Sequence, residues 1–434
     1  MNHVIRLGTH AEKEYFQRAT AWYDEVLINA NLLDFTASST SYFVFELGRR
    51  DKGFFIDPVT YAFALAPSHL MSKDSKGNER PKQTFLSLAK EYGLVGESAT
   101  QIPHVESSTL QDPSLQHRFC SRVLAYQQKK IHDTLQANSD FISDTIGDIR
   151  PTRLVAPYFY LPQEDAGWYS INTSLIRLSV EIAQKEFGRG AWGVICFDGL
   201  ILDRDDLIDE ICRQYGELQC EGYALWVADF DEPRATGSQI RGLMRLVEKL
   251  KEKRPDTPIL SMYAGYFTAL LKWRGVSGIS HGVGYGERRG VVPVVGGGLP
   301  PARYYLPPIH EEISIPELDS VAENYSSQQF EKEICGCVIC QRLLLAGVQD
   351  LIEKYMDTEI RPSQRGSRGF PTPAVYRLTK FHFLHNRHLE LRELEGAAVL
   401  GNLTQSLSEA YGKFGPKLGY SRVTFLDTWS KALQ

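Results

Sequence analysis

The sequence predicts an α/β fold, a (β/α)8 TIM barrel, on three observations. Short apolar runs alternate with amphipathic stretches along most of the chain, which is typical of parallel strands joined by crossover helices. Eight such runs can be counted, and several end on a carboxylate or a tyrosine, where barrel enzymes place their active sites. A tight cysteine cluster follows the last run and indicates a zinc-binding subdomain near the C-terminus. A doubly wound open sheet is the main alternative.

The predicted strands and their surroundings divide the chain into parts. The strands lie near residues 42, 54, 154, 193, 224, 259, 278 and 304, and residues 9–31 before them show helical spacing of apolar side chains. A polar stretch at about 67–115 is expected to be an insertion into the barrel. We therefore predict an N-terminal helical segment over 1–35, a barrel over 36–310, and a zinc-binding subdomain with C-terminal helices over 311–434.

Composition and charge limit the partners. The chain has 434 residues and a formal net charge of −5, which argues against general coating of nucleic acid but not against a local basic face. No apolar run reaches the roughly 20 residues that cross a membrane, and the first residues lack a signal-peptide pattern. The four cysteines outside the cluster show no disulfide spacing. We therefore expect a cytoplasmic protein with no membrane partner.

Three of the seven cysteines, Cys335, Cys337 and Cys340, form the pattern C-x-C-x-x-C. Zn²⁺ binds Cys sulfur and His nitrogen in a tetrahedron, and a C-x-x-C span presents two sulfurs to one ion. The next long helical stretch offers three candidates for the fourth ligand, His382, His385 and His388. Four protein ligands leave no open position, so the zinc is expected to be structural. Three thiols without a metal are the alternative.

Carboxylates stand at the ends of several predicted strands, namely Asp57, Asp198 and Asp229. Tyr158 and Tyr263 lie near strand ends too, and are candidates for substrate binding. Carboxylates in such a site can act as nucleophile or as general acid and base once their environments separate their pKa values. A single aspartate after a strand can equally be the N-cap of the next helix, but several together favour a site.

Two loops are candidates for contacts with nucleic acid or a base. Residues 282–301 are rich in glycine, which lets the backbone approach a ligand closely. In this loop, Tyr285 and Gly286 are candidates for contacting a base, and Arg288 and Arg289 for holding phosphates. A second, basic loop over 361–371 adds two candidates for a nucleic-acid backbone, Arg365 and Arg368. Solvated connections are the alternative for both loops.

These residues together resemble the tRNA-guanine transglycosylase superfamily, in which a zinc subdomain follows a barrel. The run Leu384-His385-Asn386-Arg387-His388 is similar to the family's histidine motif, so the resemblance implies His385 as the fourth zinc ligand beside the three cysteines. Ile56-Asp57 is similar to the strand that carries the family's substrate-binding aspartate. Gly222-Tyr223-Ala224 is similar to the start of its fifth strand. The resemblance extends from about residue 36 to residue 400.

Departures from the family pattern point to one of its branches. Pro58-Val59-Thr60-Tyr61 replaces a Ser-Gly-Gly-Phe-Gln run, and residues 226–232 replace a Gly-Gly-Leu-Ala-Val-Gly-Glu run. Near the end of the seventh strand, where the family's nucleophilic aspartate is expected, the chain has Ser280-His281. The spacing from Cys340 to His385 is also longer. The chain is therefore most similar to the divergent DNA-acting 7-deazaguanine transglycosylases (DpdA type).

The resemblance implies an enzyme that exchanges guanine in DNA for a 7-deazaguanine base, such as 7-cyano-7-deazaguanine. The implied mechanism is a double displacement through a covalent aspartate intermediate, on a base that has left its stack. Asp57 is expected to recognise the base and transfer protons, Asp229 to be the nucleophile, and Asp198 to be the alternative nucleophile or a reader of the base edge. The implied partners are DNA rather than tRNA, the deazaguanine base, and a helper protein of a DNA-modification system.

Three other functions stay open. The first is exchange of guanine in tRNA. The second is a non-catalytic, nucleic-acid-binding subunit of the same superfamily, which Ser280-His281 favours and the strand-end aspartates oppose. The third is an unrelated barrel hydrolase with a zinc staple, although the sequence shows no His-x-His or His/Asp pair at a strand end.

Overall fold

A computed structural model describes residues 1–73, 77–138, 149–163, 167–283, 289–292, 301–359, 369–396 and 400–434. Its central sheet has eight parallel strands: β1 (Asn2–Leu7), β2 (Glu25–Asn29), β3 (Gly53–Asp57), β4 (Leu154–Val155), β5 (Ala191–Asp198), β6 (Gly222–Ala228), β7 (Ile259–Met262) and β8 (Val276–His281). They pair in the order β3-β2-β1-β8-β7-β6-β5-β4. At the seam between β3 and β4, the Thr152 amide donates to the Phe54 carbonyl at 2.7 Å. The sheet is nearly closed, which confirms the predicted barrel.

Helices surround this barrel and continue into the C-terminal part. They are α1 (Lys13–Arg18), α2 (Ala30–Phe35), α3 (Ala37–Gly48), α4 (Gln83–Glu91), α5 (Pro113–Asn138), α6 (Gly167–Phe187), α7 (Asp205–Tyr215), α8 (Gly237–Lys253), α9 (Tyr266–Leu270), α10 (Ile315–Ala322), α11 (Ser327–Glu333), α12 (Val338–Leu344), α13 (Val348–Met356), α14 (Pro373–Glu395), α15 (Leu400–Leu418) and α16 (Tyr420–Leu433). Within the described ranges, none of them combines the length and apolarity of a membrane-crossing helix.

The core lies around and within the barrel. All seven residues of β6 are buried, and so are the first seven of β5. Parallel strands have both faces covered, one by the barrel interior and one by helices, so they are apolar without alternation. Gly222 is required where β6 passes Trp192, because an added Cβ would lie 2.6 Å from the indole ring.

Two of the eight predicted strands are wrong. Residues 42–46 belong to α3, whose buried side chains Thr40, Phe43, Val44 and Leu47 follow helical spacing. Residues 303–306 form β9 (Arg303–Leu306), which pairs antiparallel with β10 (Glu311–Ser314) in a hairpin outside the barrel. The barrel instead gains its other two strands from the first thirty residues.

Residues 1–35 therefore belong to the barrel and do not form a separate helical segment. The predicted helix over 9–31 is replaced by α1, two short 3-10 turns and β2. Val26, Leu27 and Ile28 are buried in succession, because β2 lies between β1 and β3 with both faces covered. Consequently Gly222–Ala228 is the sixth strand rather than the fifth, and Ser280-His281 ends the eighth strand rather than the seventh.

The long connection from β3 to β4 holds the predicted polar insertion. It contains a small hairpin of Met71–Lys73 with Glu79–Pro81, followed by α4 and α5. After the barrel, the hairpin β9–β10 and helices α10 to α14 surround the cysteine cluster, with a short ladder between Thr358–Glu359 and Phe370–Pro371. Within the described ranges, the candidate functional side chains lie in two regions. One is the end of the barrel at which the strands have their carboxyl termini, and the other is the cysteine cluster.

Candidate functional site

The carboxyl ends of the strands carry strained backbone. Val59 after β3, Asp229 after β6 and Tyr263 after β7 have φ values of 56°, 58° and 54°. The left-handed region costs a residue with a Cβ about 1–3 kcal/mol and is populated mainly where function or tight packing demands it. Three such residues at the ends of barrel strands mark this end of the barrel, the mouth, as the candidate site.

Asp57 ends β3 and is buried in the floor of the mouth, with 1% of its surface exposed. Its Oδ1 accepts hydrogen bonds from the Val59 amide and the Tyr158 hydroxyl, each at 2.9 Å. Its Oδ2 is buried and has no hydrogen-bond partner within the described residues. Burial raises the pKa of Asp57, although the two hydrogen bonds oppose that rise. The free oxygen is an acceptor for a donor that the chain itself does not supply.

Tyr158 is fixed by the loop after β3. The Thr60 hydroxyl oxygen accepts from the Tyr158 amide at 2.8 Å and donates to its carbonyl at 2.7 Å. These two hydrogen bonds hold Tyr158 beyond the end of the strand, because β4 ends at Val155. The phenol is thereby aimed at Asp57, and its pKa lies well above the usual value because it is buried beside that carboxylate.

Arg289 extends across the mouth from the loop after β8. Its guanidinium donates to the hydroxyls of Tyr263 at 2.9 Å and Tyr61 at 3.4 Å. Its backbone carbonyl accepts from the Trp226 indole and the Asp229 amide, both at 3.1 Å. The residue is thus held to β6 through its backbone, while its charge lies among aromatic rings.

Asp229 lies at the exposed rim of the mouth. It lines an open cleft of about 610 Å³ together with Phe230, Asp231, Arg234, Ala235, Gln239, Arg289 and Gly290. Gly290 leaves room for the carboxylate, since an added Cβ would lie 2.3 Å from Asp229 Oδ1. The mouth therefore has a buried carboxylate at its floor, Asp57, and an accessible one at its rim, Asp229.

Asp198 has a structural role at the end of β5. Its Oδ1 accepts from the Leu200 amide at 2.8 Å and caps the following 3-10 turn. Tyr160 lies close to it, and burial together with this carboxylate raises the pKa of the Tyr160 phenol. The N-cap interpretation of a strand-end aspartate thus fits Asp198.

Five of the predicted site residues lie outside the described residues: Tyr285, Gly286, Arg288, Arg365 and Arg368. The remaining ones are described. Asp57, Asp229, Tyr158, Tyr263 and Arg289 lie together at the mouth, and Asp198 lies at the same end of the barrel.

The three cysteines meet one histidine in a buried cluster. The ligand atoms of Cys335, Cys337, Cys340 and His382 all lie within 4.8 Å of one another. Zinc held by sulfur at 2.3 Å would need ligand separations of about 3.8 Å, so this set requires only small adjustments to form a tetrahedron. The Cys337 sulfur caps α12 and accepts from the Cys340 amide. Close approach of the other two thiols and His382 lowers the pKa of Cys337, as a metal ligand requires.

Neighbouring groups orient the cluster. His382 Nδ1 lies 3.3 Å from Cys337 Sγ and 3.4 Å from Cys340 Sγ. Its Nε2 lies 2.7 Å from the Tyr305 carbonyl, to which it donates, and the Tyr304 hydroxyl lies 3.2 Å from Cys340 Sγ. An imidazole fixed by a carbonyl on its far nitrogen is the usual arrangement of a zinc-binding histidine. The residues therefore fit a structural zinc ion.

The fourth ligand is a correction to the sequence prediction. His382 takes this position, not His385. One turn of α14 separates the two, and His385 packs edge-on against Trp22 at a centroid distance of 4.8 Å. The sequence could not predict which of the two histidines lies beside the cysteines, because spacing along the chain does not show which turn of α14 faces them.

Sequence reasoning missed three residues of the mouth: Arg6, Tyr61 and Trp226. Tyr61 and Trp226 were noted only as departures from a family motif, and they contact each other edge-on at 4.9 Å. Arg6 belongs to β1, which had not been recognised as a strand. The short run with β-branched residues around it, His3-Val4-Ile5-Arg6-Leu7, is the signal that indicates a strand.

Comparisons with models of protein families and with curated proteins find no match to this chain. The fold and the site define its class instead. It is a TIM-barrel-like protein with a buried Cys3His cluster that could hold zinc and a mouth lined by carboxylates, tyrosines and an arginine.

Proposed function

We propose that this protein exchanges guanine in DNA for a 7-deazaguanine base by double displacement. One observation carries the proposal: Asp57 and Asp229 are held at the ends of two barrel strands in opposite environments, one buried and one exposed. Base exchange at C1′ needs a carboxylate that reaches the sugar and a second group that manages protons at the base. Asp229 at the open cleft suits the first role, and Asp57 suits the second.

The environment of Asp57 supports a role in reading the base. Its unpartnered Oδ2 can accept an N–H from the edge of a purine or deazapurine. Burial raises the pKa of Asp57, which favours uptake of a proton by this carboxylate. Tyr158 holds the other oxygen, so the acceptor keeps one orientation.

The accessible volume supports a nucleotide-sized ligand. The cleft beside Asp229 has a volume of about 610 Å³, which falls in the range of pockets for small ligands. Zinc at the Cys3His cluster would have a structural role in this proposal, because all four of its positions are filled by protein.

A base-exchange assay tests the proposal. Zinc-replete protein is incubated with labelled guanine or 7-cyano-7-deazaguanine and with duplex DNA, single-stranded DNA or unmodified tRNA. We expect label in DNA, reduced at least about 100-fold in Asp57→Asn and Asp229→Asn. Asp256→Asn is the matched control, since this exposed aspartate precedes β7 at the opposite end of the barrel.

A trapping experiment separates the carboxylates. Denaturation during turnover is expected to leave a covalent protein–DNA adduct in the unchanged protein and in Asp198→Asn, but none in Asp229→Asn. An adduct that survives in Asp229→Asn would remove this residue from the nucleophile's role. Label in tRNA alone would assign the protein to the tRNA-acting enzymes.

A non-catalytic, nucleic-acid-binding subunit is the second candidate. The observation that favours it is the position of Arg289 in the mouth, together with strand ends Met262-Tyr263 and Ser280-His281 that carry no carboxylate. DNA binding without incorporation of label in any polymer, with or without added partner proteins, would support this candidate over the enzyme.

A further inference from the structure

Two arginines meet over one tyrosine ring in the barrel mouth. The guanidinium carbons of Arg6 and Arg289 lie 5.4 Å and 5.1 Å from the centroid of the Tyr263 ring. Arg6 is on β1 and Arg289 follows β8, so two neighbouring strands of the barrel bring the two like charges together. The Tyr263 ring, on a residue with strained backbone, thus lies within cation–π distance of both guanidiniums.

Neither guanidinium has a carboxylate partner among the described residues. Among the described residues, the Arg289 guanidinium donates to the phenols of Tyr61 and Tyr263. Arg6 makes no hydrogen bond or ion pair in the described part of the chain, and its Nε is buried without a partner. Glu12 lies beside Arg6, but its Oε2 accepts from the amides of Gly8 and Thr9 at 2.6 and 3.1 Å.

The arrangement leaves positive charge without a counter-ion. Both arginines are half-buried, so water screens their mutual repulsion only in part, and Arg6 Nε has lost its hydration without gaining an acceptor. Asp57 supplies one negative charge to the group, yet its Oδ2 is also without a partner. Two cations with unused donor capacity and one unused acceptor are complementary to a ligand that carries both an anionic group and an N–H.

We propose that Arg6 and Arg289 bind an anionic oxygen group, a carboxylate or a phosphate, of a planar heterocycle whose N–H donates to Asp57 Oδ2. Trp226 and Tyr61, in contact at the side of the site, provide aromatic surface for the ring. The choice of heterocycle rests on the proposed function. The anion then has two sources: a carboxylate on the 7-deazaguanine base itself, or the phosphate of a guanine nucleotide.

Binding of small ligands to the full-length, zinc-replete protein tests the proposal, measured by isothermal titration calorimetry. The anionic probes are 7-carboxy-7-deazaguanine and guanosine 5′-monophosphate, and their neutral counterparts are 7-cyano-7-deazaguanine and guanosine. We expect at least one anionic probe to bind about tenfold or more tightly than its counterpart, and Arg6→Gln to abolish that difference while leaving neutral ligands unchanged. Arg213→Gln, an exposed arginine in the last turn of α7, is the control.

The outcomes separate the two sources. A preference for the carboxylated base assigns the anion to the base, and a preference for the nucleotide assigns it to the phosphate. Equal affinity for charged and neutral probes would overturn the proposal, as would equal weakening of both classes by Arg6→Gln. Arg6→Lys keeps the positive charge and is expected to retain part of the preference for the anion. Thermal unfolding of each variant shows whether the substitution has destabilised the fold.

Failure of the proposed function has a different signature. The binding measurement involves no nucleic acid and no turnover. An arginine-dependent preference for anionic ligands without base exchange would contradict the proposed function and support the anion site. Base exchange without that preference would support the proposed function and contradict the anion site.

Discussion

The hydroxyl of Tyr158 donates to Oδ1 of Asp57 across 2.9 Å, and both residues are buried. Asp57 ends β3, and Tyr158 follows β4, so the bond spans the seam at which the barrel closes. The seam is therefore held by side chains that also shape the floor of the mouth. Fold closure and site geometry depend on the same contact.

Replacing this hydroxyl should alter the carboxyl group it touches. In Tyr158→Phe, Asp57 loses a hydrogen bond that lowers its pKa, so its pKa should rise further. A hydrogen bond to a charged group contributes about 1.5–3 kcal/mol, so base exchange should fall about 10- to 100-fold. The limb of the pH–rate profile that reports Asp57 should move to higher pH. Tyr126→Phe, a buried phenol bonded to the Ala30 carbonyl, is the control; an unmoved profile in Tyr158→Phe would contradict the assignment.

Zinc content should distinguish two histidines on one helix. We expect one zinc per chain in the unchanged protein and in His385→Ala, and loss of zinc in His382→Ala, because only His382 faces the sulfurs. Structural zinc contributes on the order of 10 kcal/mol in small zinc domains, so chelation should lower the thermal midpoint. Elemental analysis and thermal unfolding measure both effects. Stoichiometric zinc in His382→Ala would refute the ligand assignment.

A buried histidine pair lies where α14 meets the barrel. The Nε2 atoms of His3 and His281 are 2.7 Å apart, and His281 Nδ1 lies 2.8 Å from the Gly282 carbonyl. His281 therefore donates through Nδ1 and accepts through Nε2, while His3 donates through Nε2. Burial, the paired imidazole and Arg387 lower the pKa of His3, and burial and Arg387 lower that of His281 to about 3. Both rings are neutral at physiological pH.

This pair should make the fold sensitive to acid. Unfolded histidines take up protons near pH 6.5 while the folded ones stay neutral, so stability is complete above that pH and declines as the pH falls toward 3. The loss approaches about 1.4 kcal/mol per pH unit for each histidine. Urea midpoints measured between pH 5 and 8 should show a smaller slope in His281→Asn than in the unchanged protein. His117→Gln, at an exposed histidine of α5, should keep the original slope.

The rim carboxylate depends on a glycine. In Gly290→Ala the new Cβ would lie 2.3 Å from Asp229 Oδ1, so the carboxylate must move. We expect base exchange to fall at least about tenfold with little change in thermal midpoint, because Asp229 is exposed. Gly48→Ala, whose Cβ meets nothing within 4 Å, is the matched control. Activity equal to that of the control would show that the position of Asp229 is not required.

A buried ion pair within α14, between Arg387 and Glu390, is contacted by Tyr305 and His310 of the hairpin β9–β10. Arg387 donates to Glu390 at 2.9 Å, and His310 and Tyr305 contact the same carboxylate at 2.6 and 2.7 Å. Burial raises the pKa of Glu390, but Arg387 and His310 outweigh it, so the net pKa is lowered and this stabilisation is lost as pH falls through that value. Arg387→Met should cost about 3–5 kcal/mol in unfolding free energy, because Glu390 stays buried without its cation. The double variant with Glu390→Gln should recover part of that loss in denaturant titrations.

The sequence predicted the fold through its most apolar strands. The runs that became β5 and β6 are long and buried on both faces, so their pattern indicates strands of a parallel sheet. The N-terminal strand β2 was predicted wrongly as part of a helix. Val26-Leu27-Ile28 follows aromatic residues at three- and four-residue spacing, which is also the spacing of a helix. In the same way, Tyr42-Phe43-Val44-Phe45 has strand composition, yet its buried positions follow the helical period. The local pattern of apolar residues cannot distinguish a helix from a strand where residues distant in sequence determine which side chains are buried.

The site was predictable where one stretch of chain supplies several groups. The three cysteines could be predicted to lie together because they occupy six residues, whereas the position of His382 rather than His385 beside them depends on the rotation of α14. Asp57 and Asp229 could be predicted to lie at strand ends because each directly follows or ends an apolar run. Arg6 could not be predicted as a residue of the mouth. It lies near Arg289 because β1 and β8 are neighbouring strands, and their separation along the sequence does not indicate this pairing.

The pairing of β1 with β8 sets the order in which the barrel can be completed. Asn2 aligns with Gly278 and Ile5 with His281, so β1 can complete its pairing only after β8, far along the chain, has been synthesised. During that interval one edge of β1 lacks its partner and remains open to association with other chains. Contacts this distant in sequence slow folding. Production at lower temperature or with a chaperone present should therefore raise the yield of folded protein more than faster synthesis does.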